Sequence, residues 1–252
     1  MRTALTLSLA AWIAVSAYPK DASAAVDIAN VLSDIRGQYD TYDLDVHDLS
    51  ASMKVTTPDG EWFEKKVFIK GALTRVDTTA PASELLSNPE EMAEMRTTYV
   101  GDGRDAWIVR AFKNPERVSA SEFDELPIFS PWWKELTNKA AVQDEARLDD
   151  ADTFQIVLEA QAGSRFQRLW VQKQTWRLLK AEGVSDSGKT LVWRFRDHRP
   201  VTEHFSLPYK IDLFENGLPV KSFTLTSVQV NTGLPERIFQ VPAELSRSGV
   251  NP

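Results

Sequence analysis

Apolar residues alternate with polar ones along most of the chain, most densely between residues 153 and 241. A period of two is typical of β-strands that bury one face. Turn sequences separate the alternating stretches, and Asn216-Gly217 is the strongest because both residues accept positive φ. We therefore predict antiparallel strands joined by hairpins. The most consistent alternating sets, assigned to the inner face of the sheet, are Met53, Val55, Trp107, Phe154, Ile156, Leu158, Leu191, Trp193 and Phe195.

One amphipathic helix is predicted ahead of the strands. Ile28, Val31, Leu32 and Ile35 follow the i, i+3, i+4, i+7 spacing of a helix with one apolar face. Gly37 is placed to end it. An antiparallel meander is expected from residue 49 onward.

Several strands carry large apolar residues on both faces. Trp62 is followed by Phe63, and Phe214 follows Leu213, so adjacent positions that point in opposite directions are both apolar. Burying such a side chain contributes about 1.5–3 kcal/mol, which favours covering both faces. Helices, a second sheet or a ligand are the possible covers. We expect a curved sheet that holds an apolar ligand.

The alternation breaks between residues 113 and 152. This stretch contains Pro115, Pro127 and Pro131, the aromatic residues Phe129, Trp132 and Trp133, and a charged run over residues 135–147 that reads as helical. Long insertions of this kind are often lids or binding loops. We predict a lid-like insertion in which Trp132 and Trp133 contact the ligand. The alternative is an ordinary cap on a packed core.

The first 24 residues have the pattern of a signal peptide. Arg2 precedes an apolar stretch over residues 4–17, and Ala22-Ser23-Ala24 fits a cleavage site, so we expect cleavage after Ala24. The remaining residues, 25–252, are expected to form a single exported domain. The chain has no Cys, hence no lipidation site and no disulfide.

Charge disfavours nucleic acid as a partner. Residues 1–24 contain two basic residues and one acidic residue, which leaves 27 basic against 35 acidic residues and a net charge of −8 in the mature chain. Nucleic acids are polyanions and bind proteins with positively charged surfaces, so a negative net charge makes them unfavourable partners.

Candidate chemistry is sparse. Asp43, Asp45 and His47 would point three metal ligands to one side if the segment were extended, but solvated acids between helix and strand are the simpler interpretation. Residues 197–199, Asp-His-Arg, with His204 could be drawn as an acid–base pair, but a polar loop between hairpins is the preferred interpretation. No nucleophile elbow, metalloprotease helix or nucleotide-binding loop is present. We expect no catalytic residue, metal or cofactor.

Five arginines form the notable basic set: Arg165, Arg168, Arg194, Arg196 and Arg199. They are placed either to meet an anionic headgroup or acidic partner, or to pair with Glu159 and Glu182 across strands. Such pairs contribute only about 0.2–1 kcal/mol each.

Four segments resemble the LolA/LolB superfamily of periplasmic lipoprotein carriers and outer-membrane lipoprotein-sorting proteins: residues 169–176 (LWVQKQTW), 195–201 (FRDHRPV), 207–211 (LPYKI) and 230–235 (VNTGLP), the last followed by Ile238-Phe239. The resemblance is best from residue 153 to 241. It implies a mainly β fold, an incomplete antiparallel barrel of about eleven strands closed by short helices. It also implies a periplasmic location.

The resemblance further implies function. An apolar cavity would take up acyl chains of a lipid or lipoprotein, without catalysis, between an inner-membrane transporter and an outer-membrane acceptor. A periplasmic lipid-sensing or assembly module with the same fold is the alternative, and an ester hydrolase is a third.

Overall fold

Thirteen strands and one long helix make up the described part of the chain. The structure is a computed structural model that describes residues 28–79, 96–102, 104–110, 113–118, 132–136, 141–158, 166–185 and 187–241. The elements are α1 (Ile28–Asp45), β1 (Leu49–Thr56), β2 (Trp62–Lys70), β3 (Leu73–Thr79), β4 (Thr97–Gly101), β5 (Ala106–Arg110), β6 (Glu116–Val118), β7 (Ala141–Leu148), β8 (Ala151–Val157), β9 (Arg168–Gln172), β10 (Leu178–Val184), β11 (Thr190–Pro200), β12 (Ser206–Glu215) and β13 (Leu218–Val230). Two short 3-10 helices are named here the tryptophan turn (Trp132–Glu135) and the C-terminal turn (Glu236–Phe239).

All thirteen strands belong to one antiparallel sheet. Its order is β6-β5-β4-β3-β2-β1-β13-β12-β11-β10-β9-β8-β7. Two meanders, β1 to β6 and β7 to β13, are thus joined where β1 pairs with β13, and the sheet is not closed into a barrel. The predicted class, an incomplete antiparallel barrel, is confirmed. The two edges are β6 and β7, so the chain between them must pass from one edge to the other.

One face of the sheet carries the core. On β1, Leu49, Ala51, Met53 and Val55 are buried while the residues between them are half-buried or exposed. Their cross-strand partners keep the same parity from strand to strand, and a single buried cluster includes residues from β1 to β5 and from β8 to β13. The sheet therefore wraps around one core, and we call the enclosed side its inner face.

The helix α1 lies on the inner face. Val31, Leu32, Ile35 and Tyr39 are buried in the same cluster. The predicted end at Gly37 is wrong, because α1 continues to Asp45. Tyr39 and Tyr42 extend the apolar spacing beyond Gly37, and packing of that stripe outweighs the roughly 1 kcal/mol that a helical Gly costs.

The strand β7 corrects a second prediction. Residues 135–147 read as helical, yet 141–148 form a strand that pairs with β8. The two are joined by Asp149 and Asp150, whose φ values of 48° and 67° define a two-residue type I′ turn. Hairpin pairing overrides the helical propensity of the charged run.

The prediction for the Asp-His-Arg segment also needs correction. It was interpreted as a polar loop, but residues 197–199 belong to β11, and His198 and Arg199 pair with Pro208 and Leu207 of β12. The chain reverses afterwards, where the Val201 amide donates to the Phe205 carbonyl oxygen at 2.9 Å.

Basic side chains lie over three aromatic rings of the outer face. This explains why several strands carry large apolar residues on both faces. The Lys54 ammonium lies 4.5 Å from the ring centre of Trp62, and that of Lys180 lies 4.0 Å from Trp170. The guanidinium of Arg194 lies 5.8 Å from Phe214. Long amphipathic side chains therefore shield these rings, and a complete second layer is not required.

The C-terminal turn contacts β3. The Arg75 guanidinium donates to the Ile238 carbonyl oxygen at 2.9 Å, and the Lys70 ammonium donates to that of Leu234 at 3.0 Å. Phe239 is buried there. The segment that leads to this turn wraps the buried carboxylate of Asp48, which connects the start of β1 to the end of the sheet.

Three predictions concern residues outside the described part of the chain: the signal peptide, the contact of Phe129 and its neighbouring prolines Pro127 and Pro131 within the insertion, and the roles of Arg165 and Glu159. None of the helices in the described ranges has the length and apolar character needed to span a bilayer.

Candidate functional site: the inner face and its aromatic closure

Eight of the predicted binding residues lie on the inner face. They are Met53, Val55, Phe154, Ile156, Leu158, Leu191, Trp193 and Phe195, and all but half-buried Leu191 are buried. Three strands, β1, β8 and β11, bring them together because each strand places every second side chain inward, and Leu158 continues this alternation directly after β8.

Trp107 lies elsewhere. It pairs with Val100 of β4, whereas the inner-face residue Tyr99 pairs with Ile108. Trp107 is therefore on the outer face, and Ile108 packs against the core in its place. Ala106 and Ile108 are apolar, and so are Trp107 and Val109 between and after them. The sequence therefore did not show which of the two pairs points inward. We leave Trp107 out of the candidate site.

Trp132 and Trp133 close the inner face against α1. With Tyr39, Tyr42 and Phe205 they form what we call the aromatic cluster. Tyr39 stacks on Trp133 with ring centres 4.7 Å apart and meets Trp132 edge-on at 4.9 Å, while Tyr42 lies 4.5 Å from Phe205. The Arg36 guanidinium also donates to the Leu136 carbonyl oxygen. The tryptophan turn thus packs against α1, and in the sequence it belongs to the segment that joins the two edge strands.

Sequence reasoning missed Tyr39, Tyr42 and Phe205. Tyr39 and Tyr42 continue the helical spacing of Ile35 at i+4 and i+7, a signal that Gly37 obscured. Phe205 occupies the turn between β11 and β12 and carries no periodic signal.

A cavity of about 20 Å³ lies beneath the aromatic cluster. That is room for about one water molecule. Its lining includes Trp133, Leu178, Phe195 and His198. Among the described residues, the indole nitrogens of Trp133 and Trp193 are buried donors without a hydrogen-bond partner. Unpaired buried donors are uncommon, and they mark the places where an acceptor would be stabilised.

His198 faces this cavity as a neutral side chain. Phe195 and His198 both line it although they are three residues apart, because Asp197, with φ of 56°, interrupts the alternation. The Nε2–H group donates to the Leu178 carbonyl oxygen at 3.1 Å. Burial, followed by the positive charge of Arg177, lowers the pKa of His198 to about 4.

This geometry does not make a catalytic acid–base pair. The carboxylate of Asp197 bonds to the guanidinium of Arg199 at 2.7 Å rather than to His198. His204 is on the exposed turn next to Glu203, with 3.9 Å between Nε2 and the carboxylate. The His198 ring is committed to a backbone carbonyl.

The proposed metal-ligand run is not extended. Asp43 and Asp45 are in α1, and His47 follows it, so the alternating geometry does not form. Within the described residues no group of three potential metal ligands is found.

The outer-face arginines have partners. Arg168 pairs with Glu182 across β9 and β10 at 3.0 Å, Arg196 pairs with Asp212, and Arg199 pairs with Asp197. Two roles were left open for these arginines, and Arg168 has the second of them, a cross-strand pair with Glu182.

Comparison with known structures gives the fold class. A LolA superfamily protein from Nitrosomonas europaea superposes with a TM-score of 0.57 at 21% identity, covering 83% of this chain and 97% of that one. An outer membrane lipoprotein-sorting protein domain from Vibrio parahaemolyticus gives 0.55 at 15% identity, with 82% and 95% covered. A DUF1329 family protein from Desulfovibrio piger gives 0.58 at 15% identity, with 84% and 96% covered.

The chain therefore has a LolA-like fold. No protein-family model and no curated protein sequence matches it. At these identities the likeness concerns architecture, an open sheet whose inner face is closed by helices and turns. Function has to be argued from the inner face itself.

Proposed function

We propose that the mature chain, residues 25–252, is a non-enzymatic periplasmic carrier that binds acyl chains of a lipid or lipoprotein on the inner face of its sheet. The observation that carries this proposal is the aromatic cluster, which closes an apolar inner face with side chains from α1, the tryptophan turn and the β11–β12 turn, none of which belongs to a strand. The signal-like N-terminus and the names of two similar structures support the location.

Entry of an acyl chain requires the aromatic cluster to move. The cavity beneath it is water-sized, so a chain would take the volume that Trp132 and Trp133 now fill. Aromatic pairs contribute about 0.5–1.5 kcal/mol each beyond their burial. An acyl chain of about a dozen methylenes contributes roughly 10 kcal/mol, at about 0.8 each. The cost of moving the cluster is fixed, whereas each further methylene of the ligand adds about 0.8 kcal/mol, so longer acyl chains should bind more tightly than short ones.

The unpaired indole N–H groups of Trp133 and Trp193 fit the same role. The carbonyl oxygen of an ester-linked or amide-linked acyl chain would accept a hydrogen bond from one of them. A pure hydrocarbon has no acceptor for these donors.

Transfer between an inner-membrane donor and an outer-membrane acceptor is part of the proposal. The tryptophan turn follows β6 and precedes β7 in the sequence and belongs to neither strand, so its displacement would expose the inner face to a partner without breaking the sheet. A lipid-sensing module would use the same movement but would retain its ligand and bind one membrane partner stoichiometrically.

The test is to purify the mature protein from its native compartment, extract it with organic solvent and identify bound lipid by mass spectrometry. A fluorescent long-chain fatty-acid probe is then titrated into the delipidated protein. We expect co-purified acyl lipid, and probe binding that an eight-carbon competitor does not displace at equal concentration. Lipid-free protein that leaves the probe unbound contradicts the proposal.

A further inference from the structure

A second, polar pocket opens beside the apolar cavity. It has a volume of about 200 Å³ and lies where the second half of α1 meets the turns before β10 and β12. Its lining includes Gln38, Thr175, Arg177, Glu203 and His204. The pocket is ten times larger than the cavity beneath the aromatic cluster, and its polar groups suit a hydrated or charged ligand group.

The two pockets are adjacent. Tyr39, Phe205 and Ser206 line both of them. The Tyr39 ring belongs to the aromatic cluster, and its hydroxyl donates to the Trp176 carbonyl oxygen at 2.9 Å, so this side chain separates an apolar side from a polar side. Moving the aromatic cluster would join them into one cleft with an apolar end and a polar end.

Arg177 supplies the positive charge at the polar end. Outer-face arginines such as Arg168 and Arg196 are engaged with carboxylates. Arg177, by contrast, is half-buried and has no carboxylate within 4 Å among the described residues. Glu203 lines the same pocket, but its side chain is 88% exposed and lies next to His204. Water therefore screens the negative charge more than the positive one.

We propose that the ligand is an acidic amphiphile, whose acyl chain occupies the inner face and whose carboxylate or phosphate binds Arg177 in the polar pocket. This rests on the proposed function and adds the chemistry of the headgroup. A guanidinium pairs with either anion through two parallel N–H donors, so the shared chemistry is an anionic group at one end of the chain. A partly buried pair of this kind is expected to strengthen binding about tenfold over an uncharged headgroup.

The experiment compares three ligands with the same acyl chain: a fatty acid, a lysophosphatidic acid and a neutral monoacylglycerol. Each displaces the fluorescent probe from wild-type protein and from Arg177→Gln, with Arg194→Gln as a matched control on the outer face. We expect the two acids to bind wild type about tenfold more tightly than the neutral ligand. Arg177→Gln removes this preference and leaves the neutral ligand unchanged, and Arg194→Gln behaves as wild type.

Comparison of the two acids identifies the anion. Tighter binding of the lysophosphatidic acid assigns the pocket to a phosphate headgroup, and tighter binding of the fatty acid assigns it to a carboxylate. Arg177→Lys, which keeps the charge, should retain part of the preference, and this separates a charge effect from misfolding.

Two outcomes overturn the inference while the acyl carrier remains. In one, wild type binds the neutral and acidic ligands equally. In the other, Arg177→Gln weakens all three ligands by the same factor, which is what a structural role would do. If no ligand binds at all, the proposed function fails and this inference fails with it.

Discussion

Asp48 ties the start of β1 to the loop after β13 through a single side chain. One carboxylate oxygen accepts from the Thr232 amide at 2.8 Å, and the other accepts from the amides of Gly233 and Leu234 at 2.8 and 3.1 Å. Burial alone would raise the pKa of Asp48, but these hydrogen bonds outweigh it and hold the pKa below its usual value. The start of β1 and the loop after β13 are thereby fixed to each other, and Asn231 in the same loop holds the end of α1 through the Asp45 carbonyl oxygen.

Replacing Asp48 with Ala leaves those backbone donors without their acceptor. We expect the free energy of unfolding to fall by about 2–4 kcal/mol, measured by urea denaturation at pH 7. Asp102→Ala is the matched control, since Asp102 accepts two backbone amides in an exposed turn, and its effect should be smaller. Because the folded pKa of Asp48 is depressed, its contribution is present above about pH 4 and is lost below it. Equal losses in the two variants would argue against the role given to Asp48.

His198 predicts a separate dependence on pH. Its pKa is about 4 in the folded protein, so the unfolded chain, at about 6.5, takes up a proton first as the pH falls. The free energy of unfolding should therefore decrease between about pH 6.5 and 4, by at most about 3 kcal/mol. His198→Gln keeps a donor for the Leu178 carbonyl and does not titrate, so its stability should change less over this range. Identical pH profiles of the two proteins would contradict the assignment.

The contacts of individual side chains were predicted least well from the sequence. The alternation around Asp43, Asp45 and His47 drew attention to a metal site, while Asp48, one residue further on, is the carboxylate with a defined structural role. Its partners are about 185 positions away, and nothing in a local pattern indicates such a contact. The left-handed backbone at Asp197 was equally hidden, so the inward position of His198 could not be foreseen.

Elements with strong local signals were predicted well. The β12–β13 hairpin follows from Asn216-Gly217, whose φ values of 49° and 81° are those of a type I′ turn. Elements that depend on distant pairing were not: α1 extends past Gly37 because its aromatic residues pack, and β7 is a strand because it pairs with β8.

The turn between β7 and β8 offers a direct check on this hairpin. Asp149→Asn with Asp150→Gly places the residues that type I′ turns prefer at two positions with positive φ. We expect stabilisation by about 1 kcal/mol, because Gly carries no left-handed penalty. Asp149→Pro, whose ring fixes φ near −65°, should destabilise the protein. Thermal denaturation of both variants measures this, and destabilisation by the Asn-Gly pair would count against the turn.

The aromatic cluster predicts how the candidate site opens. Trp133→Ala removes the ring that stacks on Tyr39, so we expect the free energy of unfolding to fall by about 3–5 kcal/mol and the fluorescent acyl probe to dissociate faster. Stopped-flow displacement of the probe measures the rate. Trp107→Ala, on the outer face, is the control and should leave that rate unchanged. Equal rates in the two variants would remove the cluster from its proposed role as a lid.

At the scale of the whole molecule, two meanders joined at β1 and β13 form one open sheet. The class of fold was predictable because the alternating strands, the leading helix and the LolA-like segments agreed. Which side of each strand faces the core was not predictable, since apolar residues occupy both sides of several strands. Basic side chains over Trp62, Trp170 and Phe214 distinguish the outer face, and that pairing exists only once the strands are in register.

The central claim is that an acyl chain lies on the inner face beneath the aromatic cluster. Photo-crosslinking with a long-chain fatty acid that carries a diazirine near its methyl end locates the chain directly, because the labelled peptides can be sequenced by mass spectrometry. We predict labels on inner-face residues such as Met53, Phe195 or Trp193, which an excess of unlabelled fatty acid suppresses. Labels on the outer face, at Trp62 or Trp107, or labels that competitor does not suppress, would contradict the account.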